Sequence, residues 1–287
     1  MNVEQPRQNM YRRIDSHQHF WNYSQEEYPW IQPDWKIRQS YLPDDLFPIL
    51  QQNRIDGCIA VQARQTLEET QWLLSLAKQH DFIRGVVGWV DLRSPGLQEQ
   101  LQSFHSETKL VGVRHVVQDE PDDNFMLGPD FLNGIAALEE FGLVYDILIF
   151  PKQLPATIEL VRRFPNQTFV LDHLAKPLIK DQIHEPWATQ IRELAKMNNV
   201  SCKISAMVTE ADWFHWQPSD FTFYLDTIFD AFGEDRILYG SDWPVALLAG
   251  SYQQVYDLVH QHFKSLDESA RAKLFGENAT RIYRLLN

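Results

Sequence analysis

The sequence contains little cysteine and little positive charge. Its two cysteines, Cys58 and Cys202, lie in separate apolar runs with no CxxC or zinc-ribbon spacing, which argues against a disulfide framework. We expect both to be small core residues in a reducing compartment. Acidic residues number 39 and basic residues 26, for a formal charge of -13. Without a lysine or arginine run, this balance disfavours nucleic acid and anionic membrane surfaces as partners.

Long apolar stretches are also lacking. No run approaches the roughly 20 residues that cross a bilayer as a helix, and residues 1–11 lack the apolar centre of a signal peptide. We therefore predict a soluble cytoplasmic protein. No Gly/Ser/Pro-rich linker is long enough to divide the chain, so residues 1–287 are interpreted as a single domain.

Short apolar runs alternate with helical patterns along the sequence. Such nearly continuous apolar runs are typical of parallel strands buried on both faces. Eight strands are predicted, at residues 14–20, 57–63, 83–92, 110–118, 143–150, 168–174, 200–207 and 236–240. Residues 252–287 are predicted to be helical throughout. Eight strands that alternate with helices predict an α/β fold, the (β/α)8 TIM barrel.

The first predicted strand carries two histidines that must share a face. His17 and His19 are two residues apart, and side chains on a strand alternate with a period of two. Two buried imidazoles need partners for their nitrogens, which a divalent metal, a substrate oxygen or a hydrogen-bond network can supply. The following loop, residues 21–39, is rich in aromatic residues and proline. Its aromatic side chains either close one end of the barrel or form a pocket wall, and both can hold.

Reactive residues of a TIM barrel stand at the carboxyl ends of its strands. That rule selects a set of polar side chains: His17, His19, Arg114, His115, Gln118, Asp172, His173, Lys203, Ser205, Ser241 and Asp242. Because a closed barrel joins its first strand to its last, we expect His17, His19 and Asp242 to be neighbours. Asp172 and His173 are adjacent and should therefore face opposite sides. Each of three residues also has a purely structural alternative. Asp242 could cap a turn, His173 could be a hydrogen-bonded core residue, and Lys203 could cover apolar surface with its methylene chain.

Four short motifs follow one another along the chain. They read IDSHQHFW at 14–21, GVRH at 112–115, DHLAKP at 172–177 and YGSDWP at 239–244. Together they resemble the amidohydrolase superfamily, and within it the lactonase branch that includes L-fuconolactonases and L-rhamnonolactonases. The resemblance implies a catalytic centre whose members would also be the ligands of any metal: His17, His19, His173 and Asp242. It further implies that Arg114 holds the substrate.

The chain departs from the two-metal members of that superfamily. Those members bridge their ions with a fourth-strand lysine or glutamate and add a fifth-strand histidine. Here the fourth strand offers Arg114 and His115, and residues 143–150 contain no histidine. The resemblance therefore leaves one divalent ion, zinc by preference, or no metal at all.

The reaction that the resemblance implies is the opening of a sugar lactone. Asp242 would activate the attacking water. The sequence has no GxSxG motif, the sign of a serine nucleophile, so we expect no covalent intermediate. Substrate contacts are expected from Arg114 and four further side chains: His115, Trp21, Trp89 and Trp243, since tryptophan suits a sugar ring. The alternative enzyme is a metal-dependent decarboxylase or C–C hydrolase of the same superfamily. The alternative without catalysis is a barrel that binds a sugar acid and does not convert it. The oligomeric state stays open, a homo-oligomer included.

Overall fold

A computed structural model describes residues 12–286, and the expectations for residues 1–11 and Asn287 lie outside that range. Eight parallel strands form a nearly closed barrel in which each strand pairs with the next along the chain. They are β1 Ile14–Gln18, β2 Gly57–Val61, β3 Ile83–Gly88, β4 Leu110–Val116, β5 Val144–Leu148, β6 Phe169–Leu171, β7 Val200–Ile204 and β8 Ile237–Tyr239. The predicted (β/α)8 TIM barrel is confirmed.

Helices connect the strands and continue beyond the last one. They are α1 Pro43–Gln52, α2 Leu67–Gln79, α3 Leu97–Ser103, α4 Pro129–Phe141, α5 Leu154–Arg163, α6 Trp187–Leu194, α7 Thr222–Phe232, α8 Tyr252–His262, α9 Glu268–Ala272 and α10 Asn278–Ile282. Helix α5 is amphipathic: Leu160 and Val161 lie on its buried face, while Glu159 pairs with Arg163 on the solvent side. None of the helices in residues 12–286 is long and apolar enough to cross a membrane.

The prediction of continuous helix over residues 252–287 is wrong. Helix α8 ends at His262, and α9 begins only after Asp267. The Asp267 carboxylate accepts a hydrogen bond from the backbone N–H of Ala270 at 2.8 Å, which caps a new helix. A helical periodicity continues across this break, but the aspartate starts a separate element.

The first and last strands meet, as the barrel requires. Gln18 and Trp243 form a parallel bridge, and the Asp242 N–H donates to the His17 carbonyl at 2.8 Å. Gly240 allows this approach, because a Cβ there would lie 2.7 Å from the Cβ of His17. The predicted neighbourhood of the N-terminal histidines and Asp242 is therefore present. Cys58 and Cys202, also as predicted, are buried and free.

Candidate active site

Three neighbouring strands end in residues with a left-handed backbone. His173, Ala206 and Asp242 follow β6, β7 and β8 with φ of 57°, 53° and 55°. This conformation costs a residue other than glycine about 1–2 kcal/mol. Strain of this kind clusters at sites where side chains must point in a particular direction. Here it directs His173 and Asp242 into the carboxyl end of the barrel.

The turn after β6 brings Asp172 and His173 to the same side, contrary to the expectation that they face apart. Asp172 Oδ1 lies 3.3 Å from His17 Nδ1, and the His173 ring centre lies 4.3 Å from that of His17. Strand alternation no longer applies, because β6 ends at Leu171 and φ is positive from His173 through Lys176. Both side chains therefore enter the barrel.

Two histidines and an aspartate converge where β1 meets β8. Nε2 of His17 lies 3.3 Å from Nε2 of His19, and Asp242 Oδ1 lies 3.3 Å from His19 Nε2 and 3.8 Å from His17 Nε2. His19 Nδ1 donates to the Val61 carbonyl at 2.8 Å, and His17 Nε2 accepts from Arg114 Nη1 at 3.2 Å. In the neutral rings both Nε2 atoms therefore carry lone pairs. The His17 lone pair is therefore directed at the Arg114 N–H, and the His19 lone pair faces the Asp242 carboxylate oxygen.

The protonation states of this centre follow from burial and from neighbouring charges. Burial lowers the pKa of His17 and of His173, the latter to about 3, so both imidazoles are neutral at pH 7. Burial alone would raise the pKa of Asp242, but His173, His19 and Lys176 outweigh it and the pKa falls below its usual value. Neutral imidazoles beside a carboxylate are the forms that accept a metal ion or a proton.

A buried ionic cluster lies beneath the centre. Lys203 Nζ contacts Asp146 at 2.5 Å and Asp172 at 3.1 Å, and it lies 3.3 Å from His17 Nδ1. Arg114 Nη1 donates to Asp172 Oδ2 at 3.0 Å. The cluster therefore holds two cations and two carboxylates, and Lys203 is part of it instead of a stem over apolar surface. These contacts fix His17 from below.

A cleft of about 790 Å³ opens above the centre. Its floor includes His19, His173, Asp242 and Arg114, and its walls include Trp30, Trp35 and Trp213. The lining residues that the sequence analysis did not propose for the site include Arg64, Lys176, Glu210 and Trp213. Lys176 lies within the quoted DHLAKP motif and could have been found there. Arg64 directly follows the strand predicted at residues 57–63 and could have been found by the strand-end rule. Glu210 and Trp213 lie in the loop after β7, whose path the sequence pattern does not reveal.

The aromatic loop serves both of the roles that were left open. Trp21 is fully buried and donates its indole N–H to the Gln39 carbonyl at 2.7 Å, so it closes the barrel end. Trp30 and Trp35 instead face the cleft, and Trp35 packs edge-to-face on Trp213 with ring centres 5.6 Å apart. The loop thus joins the core to the cleft wall.

Four of the expected substrate contacts are not among the described residues that line the cleft: Trp21, Trp89, His115 and Trp243. Trp243 is buried and packs on Tyr41, with ring centres 5.1 Å apart. His115 bonds Glu120 at 2.7 Å and stacks on Phe125, and the Trp89 indole points to His115 at 3.5 Å. In the structure these side chains pack behind the cleft, and their contact with a substrate stays a prediction.

The centre has the donor set of a single metal site. One ligand atom each from His17, His173 and Asp242 lies within 4.8 Å of the others, and this is the one such group in the part of the chain that the structure describes. Imidazoles with a carboxylate are typical ligands of catalytic zinc. The Nε2 lone pair of His19 lies 3.3 Å from the Asp242 carboxylate oxygen, and a bound cation would relieve the repulsion between these two acceptors. The residues present therefore fit one divalent ion, with His19 beside it.

Comparison with known proteins finds similarity over nearly the whole chain. The family model described as "Amidohydrolase" matches residues 14–285. A Burkholderia multivorans protein named L-fucono-1,5-lactonase is 43% identical over 95% of this chain and 96% of its own. A second protein of that name, from Burkholderia ambifaria, is 35% identical over 95% of this chain and 96% of its own. A crystal structure of a Burkholderia multivorans amidohydrolase with bound zinc superposes with a TM-score of 0.93 at 42% identity, covering 96% of this chain and 100% of the other.

Proposed function

Since this chain belongs to the amidohydrolase family, we propose that it hydrolyses a sugar lactone to the free sugar acid. The observation that carries the proposal is the buried centre of His17, His19, His173 and Asp242 on the floor of an open cleft. The relatives named L-fucono-1,5-lactonase support the substrate class, because they are similar over nearly their full length.

In the proposed reaction Asp242 acts as the general base. Its lowered pKa keeps it ionised at neutral pH, and it lies at the cleft floor where a water and a lactone carbonyl can meet. Base assistance of this kind is typically worth about 10²- to 10⁴-fold in rate. His19 positions the carboxylate by its 3.3 Å contact to Oδ1. The water attacks directly, and no covalent intermediate with the protein forms.

The charge on the carbonyl oxygen requires donors that are already oriented toward it. Arg114 is held in place by Asp172 and by the Gln62 carbonyl, and its guanidinium lines the cleft beside His17. A divalent ion on His17, His173 and Asp242, with His19 adjoining, would add Lewis-acid polarisation of the same oxygen. The positive charge of Arg114, next to these imidazoles, would then stabilise the negative charge on the lactone oxygen.

The charge of the cleft favours a neutral substrate over a polyanion. Five acidic side chains line it, against the three basic ones Arg64, Arg114 and Lys176; the acidic set is Glu26, Glu27, Asp119, Glu210 and Asp242. Each basic group already faces a carboxylate: Glu27 for Arg64, Asp172 for Arg114, and Glu210 for Lys176. A dicarboxylate would have no unpaired cation to bind. Trp30, Trp35 and Trp213 offer apolar faces suited to a sugar ring.

A pH-indicator assay on a panel of aldono-1,4- and 1,5-lactones tests the proposal. We expect acid release from at least one lactone, faster with the L-fucono configuration than with its epimers. The assay is run with and without a chelator, and the metal content of the purified protein is measured alongside. Failure to open any lactone, together with release of CO₂ from a carboxylated substrate, would replace the proposal by the decarboxylase alternative.

A further inference from the structure

We propose that Lys176 is the acid that protonates the ring oxygen when the lactone opens. This inference rests on the proposed lactone hydrolysis and deepens it. Lys176 lines the cleft together with Asp242 and His173, and its side chain is 18% exposed. The ammonium is therefore accessible from the cleft and still shielded by the surrounding walls.

The backbone positions this lysine with respect to the catalytic centre. Residues His173 to Lys176 all have positive φ, between 49° and 59°, and the Lys176 N–H donates to the His173 carbonyl at 2.7 Å. Four consecutive left-handed residues, none a glycine, are costly. The same turn that directs His173 onto the cleft floor thus directs Lys176 to the cleft wall.

Lys176 has fewer of its N–H groups bound to protein atoms than Arg64 and Arg114, the other two cations of the cleft. Arg114 bonds Asp172, Gln62 and His17, and Arg64 is tied to Glu27. The ion pair of Lys176 within residues 12–286 is a single 3.5 Å contact to Glu210 Oε1, and its Nζ lies 5.5 Å above the Phe150 ring. A lysine ammonium has three N–H donors. Donors therefore remain for a substrate oxygen.

The chemistry needs such a donor at the second step. Asp242 removes a proton from water as the oxygen of that water bonds to the carbonyl carbon. When the ring C–O bond breaks, its electron pair goes to the ring oxygen, which takes a proton from Lys176 Nζ. Asp242 then returns its proton to Lys176, so that the sum is one water added to one lactone. The alcohol that leaves is nearly as weak an acid as water, whose pKa is about 15.7. Its alkoxide is therefore a poor leaving group unless it is protonated as the C–O bond breaks.

The test varies the leaving group in Lys176→Met and in Lys180→Met, a matched control on the same loop whose side chain is exposed. With the sugar lactone, K176M should lower kcat about 10²-fold with little change in KM, the usual size of an acid–base contribution. With dihydrocoumarin, whose phenolic leaving group has a pKa of about 10, the loss should shrink to less than about 3-fold. K180M should match the wild type with both substrates.

An equal loss by K176M on both substrates, or wild-type kcat on the sugar lactone, would overturn the assignment. Should the wild type not accept dihydrocoumarin, Lys176→Ala with added methylammonium decides: saturable recovery of kcat supports the inference, and no recovery overturns it. Failure of the proposed function is seen separately, because the wild type itself would then open no sugar lactone. Circular dichroism of each variant confirms that it is folded.

Discussion

Replacing Lys203 by methionine tests how the barrel interior supports the site. Lys203 is completely buried, and its ammonium contacts the carboxylates of Asp146 and Asp172. Methionine retains most of the side-chain volume and removes the charge. Asp172 would then keep its ion pair with Arg114, whereas Asp146 would lose its ion pair with Lys203.

The expected loss of stability follows from that imbalance. Removing one partner of a buried ion pair typically costs about 3–5 kcal/mol, a large part of a total of about 5–15 kcal/mol. Burial raises the pKa of Asp146 to about 6 even with Lys203 present. The K203M loss should therefore be largest at pH 8, where Asp146 must be ionised, and smaller by at least about 1 kcal/mol at pH 5.5.

Urea denaturation followed by circular dichroism at both pH values measures these differences. The double variant D146N/K203M is the matched control, since the amide oxygen that replaces the Asp146 carboxylate can still accept the hydrogen bond that Tyr283 donates to Oδ1 at 2.7 Å. It should recover about 1–3 kcal/mol of the K203M loss, the usual coupling between contacting residues. A K203M protein as stable as the wild type at pH 8 would refute the reasoning.

Two further variants test the electrostatics behind the cleft and its aromatic wall. Burial raises the pKa of Glu69 from its usual value to about 7, so the folded protein holds the Glu69 proton more tightly than the unfolded chain does. This contribution to the free energy of unfolding is fully present below about pH 4.5 and is lost as the pH rises through 7. In urea denaturation, Glu69→Gln should therefore gain about 2–3 kcal/mol relative to the wild type between pH 5 and pH 8, and a pH-independent difference would contradict this. Trp213→Ala should raise KM for the sugar lactone roughly 2- to 10-fold with kcat nearly unchanged, the scale of one aromatic contact. Steady-state kinetics check this against Phe214→Ala, whose side chain is 82% exposed, and an equal change in both variants would count against the aromatic wall.

The barrel could be predicted because each strand leaves a local signature. Buried parallel strands appear as short apolar runs, and eight of them in alternation with helices admit few arrangements. Closure of that barrel then brought His17 near Asp242 without further information. The break before α9 was missed, since helical periodicity persists on both sides of Asp267 and only the capping residue marks it.

Parts of the site depended on backbone turns and loop paths that residue patterns do not encode. Alternation placed Asp172 and His173 on opposite sides, but the strand ends one residue before Asp172 and a left-handed turn follows. Tryptophans were assigned to the substrate by their chemistry alone. Whether Trp21 or Trp30 faces the cleft is decided by tertiary packing of the 21–39 loop, and only Trp30 does.

The central claim is that Asp242 activates water, and Asp242→Asn tests it most directly. Asparagine has nearly the same shape and tolerates the φ of 55° found at this position, so the fold should be retained. In the pH-indicator assay with the best sugar lactone, we predict that kcat/KM falls at least about 10²-fold while the thermal unfolding midpoint barely moves. A folded D242N protein that opens the lactone at close to the wild-type rate would contradict the account.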